Sequence, residues 1–484
     1  MPRIELETQQ RGGSAGRLDT HSVETVRGLN LHFILSFGDA SLARELSDLA
    51  GYGVWAYCFG DWERYRGAPP AFWEVNDNAN VSGAMLVRLT PQCETVIPLR
   101  RAYLRTSSFS YAKNGEQILG RAAHWPAQVC REILFGQAKC FTASPLSDGA
   151  RMRTLPSNLE VMAFAWRMLW RNATARVRSR LLQYDHWNIG IVRQPIRAFL
   201  DPKHRSPTVE WLPPRGRNEF IADPFGVVRD DKVMVFCEFL DYRNGVGEIA
   251  ALRPSEPTTL IPVAIGPTPA VHLSYPMVFE HDGRLLCIPE THAAREVALY
   301  AAEHFPDRWV KIATLVENAA IVDATLFRHD DNWWLAGAAD PGETRFGADL
   351  HLWYSPAITG PWRAHAGNPV KTDVRSSRPA GTPFVVDGFL YRPAQDSSVT
   401  YGGRVVINRV LCLTPNSFEE EVVAYVEPDI NGPYPDGLHT LSAVGDLTLI
   451  DGKRFRFAPA EFRRVLARMI GRRLPWSQDR HSAA

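Results

Sequence analysis

Five segments in the second half of this chain repeat one pattern, and that repeat limits the fold more than any other feature. IADPFGVV, LSYPMVFEHDG, IVDATLFRHDD, RPAGTPFVVDG and LHTLSAVGD each read as a short strand bounded by turn residues. The first four run into a charged or glycine-bearing turn and then a second apolar strand: VMVFCEF, LLCIPET, WWLAGA and FLYRPAQ. The anchors Asp223, Tyr275, Asp323, Pro379 and His439 lie 52, 48, 56 and 60 residues apart. A four-stranded antiparallel unit takes roughly 40–50 residues in propeller architectures, so the period fits such units with modest loop excess. The expected fold is therefore mainly β, with a five-bladed β-propeller over residues 187–457.

The remaining sequence has a different texture. Residues 1–27 are polar and contain Gly and Ser, which predicts a flexible arm. Residues 28–140 read as a small α/β domain. LNLHFILSF, GVWAY, GAMLVRLT and VIPLRRAYL give strands, LARELSDLA gives an amphipathic helix, and one helix is expected over about 114–134. Residues 141–186 form a Ser/Pro-containing linker and a long helix, about 159–183. Met162, Phe164, Trp166, Leu169, Trp170 and Val177 stand on this helix among several Arg. Two readings are open for it: an apolar stripe packed between domains with snorkelling Arg stems, or a membrane-surface helix. The basic tail 458–484, with FRRVLARMIGRRLPW, reads as a solvated or docking helix, with membrane contact the second option.

Composition narrows the partners. Lys plus Arg number 54 against 53 Asp plus Glu, so no global field favours nucleic acid, and none is expected as a partner. The seven Cys are scattered and form no CxxC pair, which argues against a disulfide framework or a zinc site and for a reducing compartment. No metal and no cofactor are expected. The N-terminus carries no apolar leader and no stretch of about 18 apolar residues follows, so the chain reads as cytoplasmic.

In a propeller the innermost strand of each blade lines the central channel, so polar residues that open those strands converge. This brings Asp223, Tyr275, Asp323, Arg378 and His439 around one axis, with Glu238, Glu290, Arg392, Gln395 and Asp396 at the ends of the next strands. Carboxylates with Arg, His, Gln and aromatic rings suit a sugar, since carboxylates accept hydroxyl hydrogens and serve as acid, base or nucleophile at an anomeric carbon. Asp223, Asp323 and Glu290 are the catalytic candidates. Glu238, Tyr275, Arg378, Arg392, Gln395, Asp396 and His439 are the substrate-binding ones. A plainer reading stands beside each: an Asp before Pro caps turns, and a buried Arg or His pairs with a buried acid.

NEFIADPF, SYPMVFEHDG, CIPET, LYAAEHFPDRW, VDATLFRHDDNWWL, RPAGTPF, YRPAQDSSVTYG and GLHTLS resemble the N-terminal propeller of plant glucosamine inositolphosphorylceramide transferases, a domain also found in bacterial proteins. That domain is similar in turn to five-bladed arabinanase and fructosidase-type hydrolases. The resemblance implies a base or nucleophile at Asp223 and an orienting role for Asp323. In those hydrolases the general acid is a Glu on the fourth blade, where this chain has RPAGTPF. The acid role would pass to Glu290, Glu238 or Asp396, and sugar binding or transfer fits better than hydrolysis.

GVWAYCFGDWERYRGAPPAFWEV and VSGAMLVRLT resemble the C-terminal half of a formyltransferase-type domain. Tyr65, Arg66, Gly67 and Ala68 match its motif, while Ala56 and Cys58 occupy its Asn and His positions. Without that amide and imidazole, formyl transfer is disfavoured, and a degenerate non-catalytic domain is expected. The leading expectation is a carbohydrate-active protein of glycan or glycolipid assembly that transfers or cleaves a glycosidic bond, with other glycan-assembly proteins as partners. The alternative is a non-catalytic glycan-binding or scaffold protein.

Overall fold

The computed structural model describes residues 4–6, 8–9, 17–37, 45–90, 96–136, 152–181, 184–266, 271–339, 347–457 and 459–469. The expected linker over 141–151, Cys93, Cys140, and the tail beyond 469 lie outside the described residues. The chain divides into two units, Met1–Leu169 and Trp170–Ala484.

The first unit has a four-stranded sheet. Ile34–Ser36 runs parallel to Val54–Phe59, which pairs antiparallel with Val81–Leu89, itself antiparallel to Val96–Arg105. Val54, Met85, Val87, Leu89 and Val96 form its core with Trp62. The expected helix over 114–134 is two helices, Tyr111–Ala122 and Trp125–Leu134. Pro126 explains the break, because its ring has no N–H to donate and is accepted only in a helix's first turn. Asn114 is fully buried and ties the helix to the sheet, donating to Ser82 Oγ at 3.0 Å and accepting from Ser107 N at 2.9 Å. The helix expected at LARELSDLA falls partly outside the described residues, and its described end is the short 3-10 turn Ser47–Leu49.

The second unit is built from five antiparallel sheets among its described residues. Four of them are consecutive in sequence and follow the repeat. They open with Glu219–Arg229, Ser274–His281, Ile321–His329 and Phe384–Val386. Each opening strand turns back into the next: Lys232–Asp241, Arg284–Glu290, Asn332–Ala339 and Phe389–Asp396. The fifth sheet joins distant pieces. Tyr184–Val192 pairs with Val209–Trp211 on one side and with the C-terminal strand Leu447–Arg456 on the other, and Leu441–Val444 completes it.

Apolar clusters link each sheet to the next. Ile189 and Leu449 pack with Ile221 and Val235, and Phe225 and Phe236 pack with Met277 and Ile288, in a cluster that extends to Ile321 and Leu335. Trp334 and Leu352 share a cluster with Leu390 and Val410, and Val405 and Ile407 share one with Val192 and Ile450. The sheets thus close a cycle, with alternating strand residues filling the space between faces. The helix Pro459–Met469 follows and docks on this unit through the Phe457–Phe462 ring contact and a hydrogen bond from Arg464 Nη1 to Tyr242 O.

One glycine permits the closest approach in this cycle. Gly381 has φ +118°, and a Cβ there would lie 2.0 Å from the carbonyl oxygen of Leu441. Gly381→Ala is expected to cost at least about 2–3 kcal/mol in chemical denaturation, because both the backbone conformation and the clash oppose the side chain. In the first unit, burial pushes the carboxyl of Glu74 up to about 7, helped by nearby Asp61. Its contribution to stability is present below the ordinary carboxylate range and is lost as pH rises through about 7. Melting curves across that range should show the full chain losing stability with rising pH, and Glu74→Gln should flatten that loss.

Candidate functional site

The opening strands of three consecutive sheets carry the same irregularity at the same place. Ala222 pairs with Glu238 and Phe225 with Phe236, so Asp223 and Pro224 face a single residue. Ser274 pairs with Glu290 and Met277 with Ile288, and Val322 pairs with Ala338 and Thr325 with Ala336. Each is a β-bulge, and each first bulged residue is left-handed: Asp223 at φ 52°, Tyr275 at 45° and Asp323 at 53°. A left-handed non-glycine residue costs of order 1–3 kcal/mol, so something must hold these three in place. The bulge also leaves each backbone N–H without a partner in its own ladder.

Carboxylates supply the missing acceptors. Asp451 Oδ2 accepts from Asp223 N at 3.1 Å, Asp223 Oδ2 from Tyr275 N at 3.2 Å, and Glu290 Oε2 from Asp323 N at 2.9 Å. In the fourth of the consecutive sheets, Gly381 N donates to the Tyr275 hydroxyl oxygen at 2.6 Å. The donors at His439 and Thr440 both go to Asp451 Oδ1, at 2.9 and 3.0 Å. Asp223, Tyr275 and His439 are thereby joined, and Thr325 brings in Asp323, its Oγ1 lying 2.9 Å from the Tyr275 hydroxyl and donating to Asp323 O at 3.1 Å.

The charges in this network are unequal. Arg378 clamps Asp323, with Nη2 donating to Oδ1 at 3.1 Å and Nε donating to Oδ2, and Gln395 Nε2 adds a bond to Oδ2 at 2.7 Å. Burial is still the largest influence on Asp323 and pushes its carboxyl up to about 7 against the pull of Arg378. Glu290 is opposed by burial too. His292 Nδ1 at 2.7 Å from its Oε1, together with Arg378, overcomes this and holds it down at about 2. His439 stacks on Trp187 at 3.9 Å and bridges two acids. Its Nδ1 lies 2.6 Å from Asp451 Oδ2 and its Nε2 3.4 Å from Asp223 Oδ1. Burial opposes its charge, but the two carboxylates raise its pKa on balance. Burial raises Asp223, and His439 only partly offsets it.

Glu238 departs from the pattern. It and Glu290 occupy equivalent positions, each paired with the residue before a bulge. Glu290 caps the next bulge N–H, whereas the corresponding donor, Tyr275 N, is taken by Asp223. Glu238 keeps His272 Nε2 at 3.4 Å, and a Cβ on Gly247 would sit 2.6 Å from its Oε1. Burial first, and then the negative charge of Asp223, Glu290, Asp323 and Asp451, drive its carboxyl well above the usual range. The site therefore favours the protonated form of this carboxyl.

Of the ten residues anticipated, eight gather here: Asp223, Asp323, Glu290, Glu238, Tyr275, Arg378, Gln395 and His439. Two do not. Arg392 binds both carboxylate oxygens of Glu420, at 2.6 and 3.0 Å, and the carbonyls of Ser376 and Ser377. Asp396 pairs with Arg404 Nε at 2.8 Å and caps Ser398 N. Strand alternation explains the difference, because residues one and three positions from Gln395 point to the other faces of their strand or end it. Asp451 and His292 went unanticipated. Asp451 sits in LTLIDGKRFR, outside the repeated segments, and only the pairing of the two chain regions brings it in. Ala56 and Cys58 lie on Val54–Phe59, paired with Val87 and Met85 of the first unit's sheet.

Residues 215–432 match the family model described as glucosamine inositolphosphorylceramide transferase 1, N-terminal. The chain is 35% identical over 210 residues to glucosamine inositolphosphorylceramide transferase 1 of Oryza sativa subsp. japonica, covering 42% of this chain and 28% of the relative. It is 33% identical over 215 residues to the protein of that name from Arabidopsis thaliana, covering 43% and 28%. The chain thus spans under a third of the length of the curated relatives it matches. Among solved structures it is similar to a family 117 glycoside hydrolase produced by the marine bacterium Zobellia galactanivorans, with TM-score 0.35 and 13% identity over 49% of this chain and 85% of that one. A second similarity is to a glycoside hydrolase of the GH130 family targeting β-1,2 mannosidic linkages, with TM-score 0.36 and 10% identity over 48% and 83%.

The ion pair beneath the site gives a stability test. Arg378→Met strands Asp323 without its cation and is expected to destabilise the second unit by about 3–5 kcal/mol. Adding Asp323→Asn should recover a large part of that loss in the same denaturation experiment, because the uncompensated buried acid is then gone.

Proposed function

We propose that the five sheets are the blades of a five-bladed propeller, over about residues 187–457, and that its acidic centre binds a glycan or glycoconjugate and acts on a glycosidic bond. The observation that carries this reading is the division of labour among the gathered acids. Asp223 stands beside His439, whose charged form the two neighbouring carboxylates favour, burial favours the protonated form of Glu238, and Glu290 and Asp323 are occupied by His292 and Arg378. Glycosidic chemistry asks for one carboxylate that accepts or attacks and one carboxylic acid that protonates the leaving oxygen. In this reading Glu238, driven toward its protonated form, donates, and Asp223, beside His439, accepts. Asp323, held by Arg378 and Gln395, orients a sugar hydroxyl instead of exchanging a proton.

The named activity of the plant relatives makes amino-sugar glycolipids and nucleotide sugars the first substrates to test. Residues 28–140 are read as a degenerate formyltransferase-like module without that activity. A recognition-only role is the second reading, and the Arg378 clamp on Asp323 favours it, since an acid fixed in an ion pair is suited to holding a hydroxyl.

Calorimetry and product analysis against nucleotide sugars and short glycans separate the two. Wild type should bind and turn over a substrate. Asp223→Asn should bind it with turnover reduced by about 100-fold or more, and Glu238→Gln should lose the alkaline limb of the pH profile together with rate. Binding unchanged in all three proteins with no product would leave recognition as the function. Absence of binding across the screen would overturn both.

A further inference from the structure

Glu238 and Glu290 occupy equivalent positions in adjacent sheets, and each has an imidazole beside it. The two acids nevertheless end in opposite states, and the hydrogens of the two rings account for the difference. His272 Nδ1 accepts the backbone N–H of Gly247 at 2.9 Å. A ring nitrogen that accepts an N–H presents a lone pair, so the one hydrogen of this neutral ring sits on Nε2. Nε2 stands 3.4 Å from Glu238 Oε1. Charging the ring would place a second hydrogen on Nδ1, against the Gly247 N–H, and would break that bond. Burial acts in the same direction and lowers the pKa of this imidazole.

His292 is the reverse case. Its Nδ1 lies 2.7 Å from Glu290 Oε1, and a carboxylate only accepts, so here Nδ1 carries the hydrogen. Among the described residues no N–H is bonded to its Nε2, so a second hydrogen there is unopposed. The bond to Glu290 raises the pKa of His292 against burial, and His292 with Arg378 holds Glu290 at about 2 against its own burial. The two rings are neighbours, with centres 6.4 Å apart.

Gly247 brings carboxyl and ring together. It opens the strand Gly247–Leu252, pairs with Leu240, and its carbonyl accepts from Leu273 N at 2.9 Å. A Cβ on it would lie 2.6 Å from Glu238 Oε1 and 2.7 Å from His272 Cε1, so a side chain here would force the two apart. The charged groups that face this pair are known. Burial and then Asp223, Glu290, Asp323 and Asp451 oppose the ionisation of Glu238, while Glu290 favours and His292 opposes a charge on His272. A cation in the place of His272 would pull the carboxyl down by about 1–3 pH units, as an opposite charge within about 4–6 Å does.

We infer that His272 is a positioning residue for Glu238: the Gly247 N–H fixes it as the uncharged Nε2–H tautomer, and this neutral partner keeps Glu238 in the acid form that the proposed function uses. The inference rests on that reading of Glu238, but its test needs no substrate. Long-range proton–nitrogen NMR spectra of the full chain, with the His272 signals assigned by their loss in His272→Asn, should show the Nε2–H form at neutral pH. Difference infrared spectra with carboxyl-labelled glutamate, referenced to Glu238→Gln, follow the C=O band of protonated Glu238 as pH rises. His272→Asn keeps an uncharged acceptor for the Gly247 N–H and should titrate as wild type does. His272→Lys adds a cation and should lower the midpoint of the band by about 1–3 pH units. Melting curves show which variants fold, and the tautomer is read on the wild-type chain whether or not they do. A His272 that carries its hydrogen on Nδ1, or on both nitrogens at neutral pH, overturns the inference. An unmoved band in folded His272→Lys, or one lowered equally in His272→Asn, overturns it too. Absence of turnover in the substrate screen would sink the catalytic reading and leave these spectra unchanged, so the two failures are distinguishable.

Discussion

The carboxylates that accept hydrogen bonds from bulged backbone N–H groups organise the centre of the second unit. Asp451 on Asp223 and Glu290 on Asp323 each hold a residue in a conformation that costs energy, and each reaches across from a neighbouring sheet to do so. Asp223 repeats the device on Tyr275. A buried carboxylate needs hydrogen-bond donors or a cation, and these acids have them: three backbone N–H groups on Asp451, Tyr275 N with Thr440 Oγ1 on Asp223, Asp323 N with His292 on Glu290, and Arg378 on Asp323. The same groups that sugar recognition would use are therefore the groups that fasten one sheet to the next.

This double use explains why the group has such spread acidities. Glu290 is pulled down to about 2 because it faces His292 and Arg378, while Asp323 is pushed up to about 7 because burial prevails over its own contact with Arg378. Glu238 has no cap to form, since Asp223 has already taken the donor in front of it. Pairs of carboxyls separated in this way can divide acid and base roles at one pH.

The strand–turn–strand repeat was legible because each unit is local: an apolar run, a turn with Asp or Gly, and a second apolar run within about 25 residues. The convergence of Asp223, Tyr275 and Asp323 followed from their shared position at the start of those runs. Their left-handed backbone did not show in the sequence, because Asp tolerates that conformation and Tyr gives no hint of it. Asp451 was hidden for a different reason. Its role depends on pairing across more than 200 residues of chain, which no local pattern reports. Arg392 and Asp396 point elsewhere because side chains alternate along a strand, which their place in the repeat does not report. In the helix after the linker, the periodicity was visible, but what covers the stripe depends on the surroundings and not on the periodicity.

The fifth sheet has an implication for how the protein comes into being. Tyr184–Val192 emerges from the ribosome early, and its partner Leu447–Arg456 emerges some 250 residues later. Until that strand arrives, the edge of Tyr184–Val192 is open and Asp223 has no acceptor for its N–H. The site at the centre is thus the last part of the unit to be completed, and a chain stopped short of residue 441 would hold four sheets with an unclosed seam. Closure by Leu447–Arg456 makes the arrival of that strand a checkpoint: only a chain made through this segment presents the assembled site.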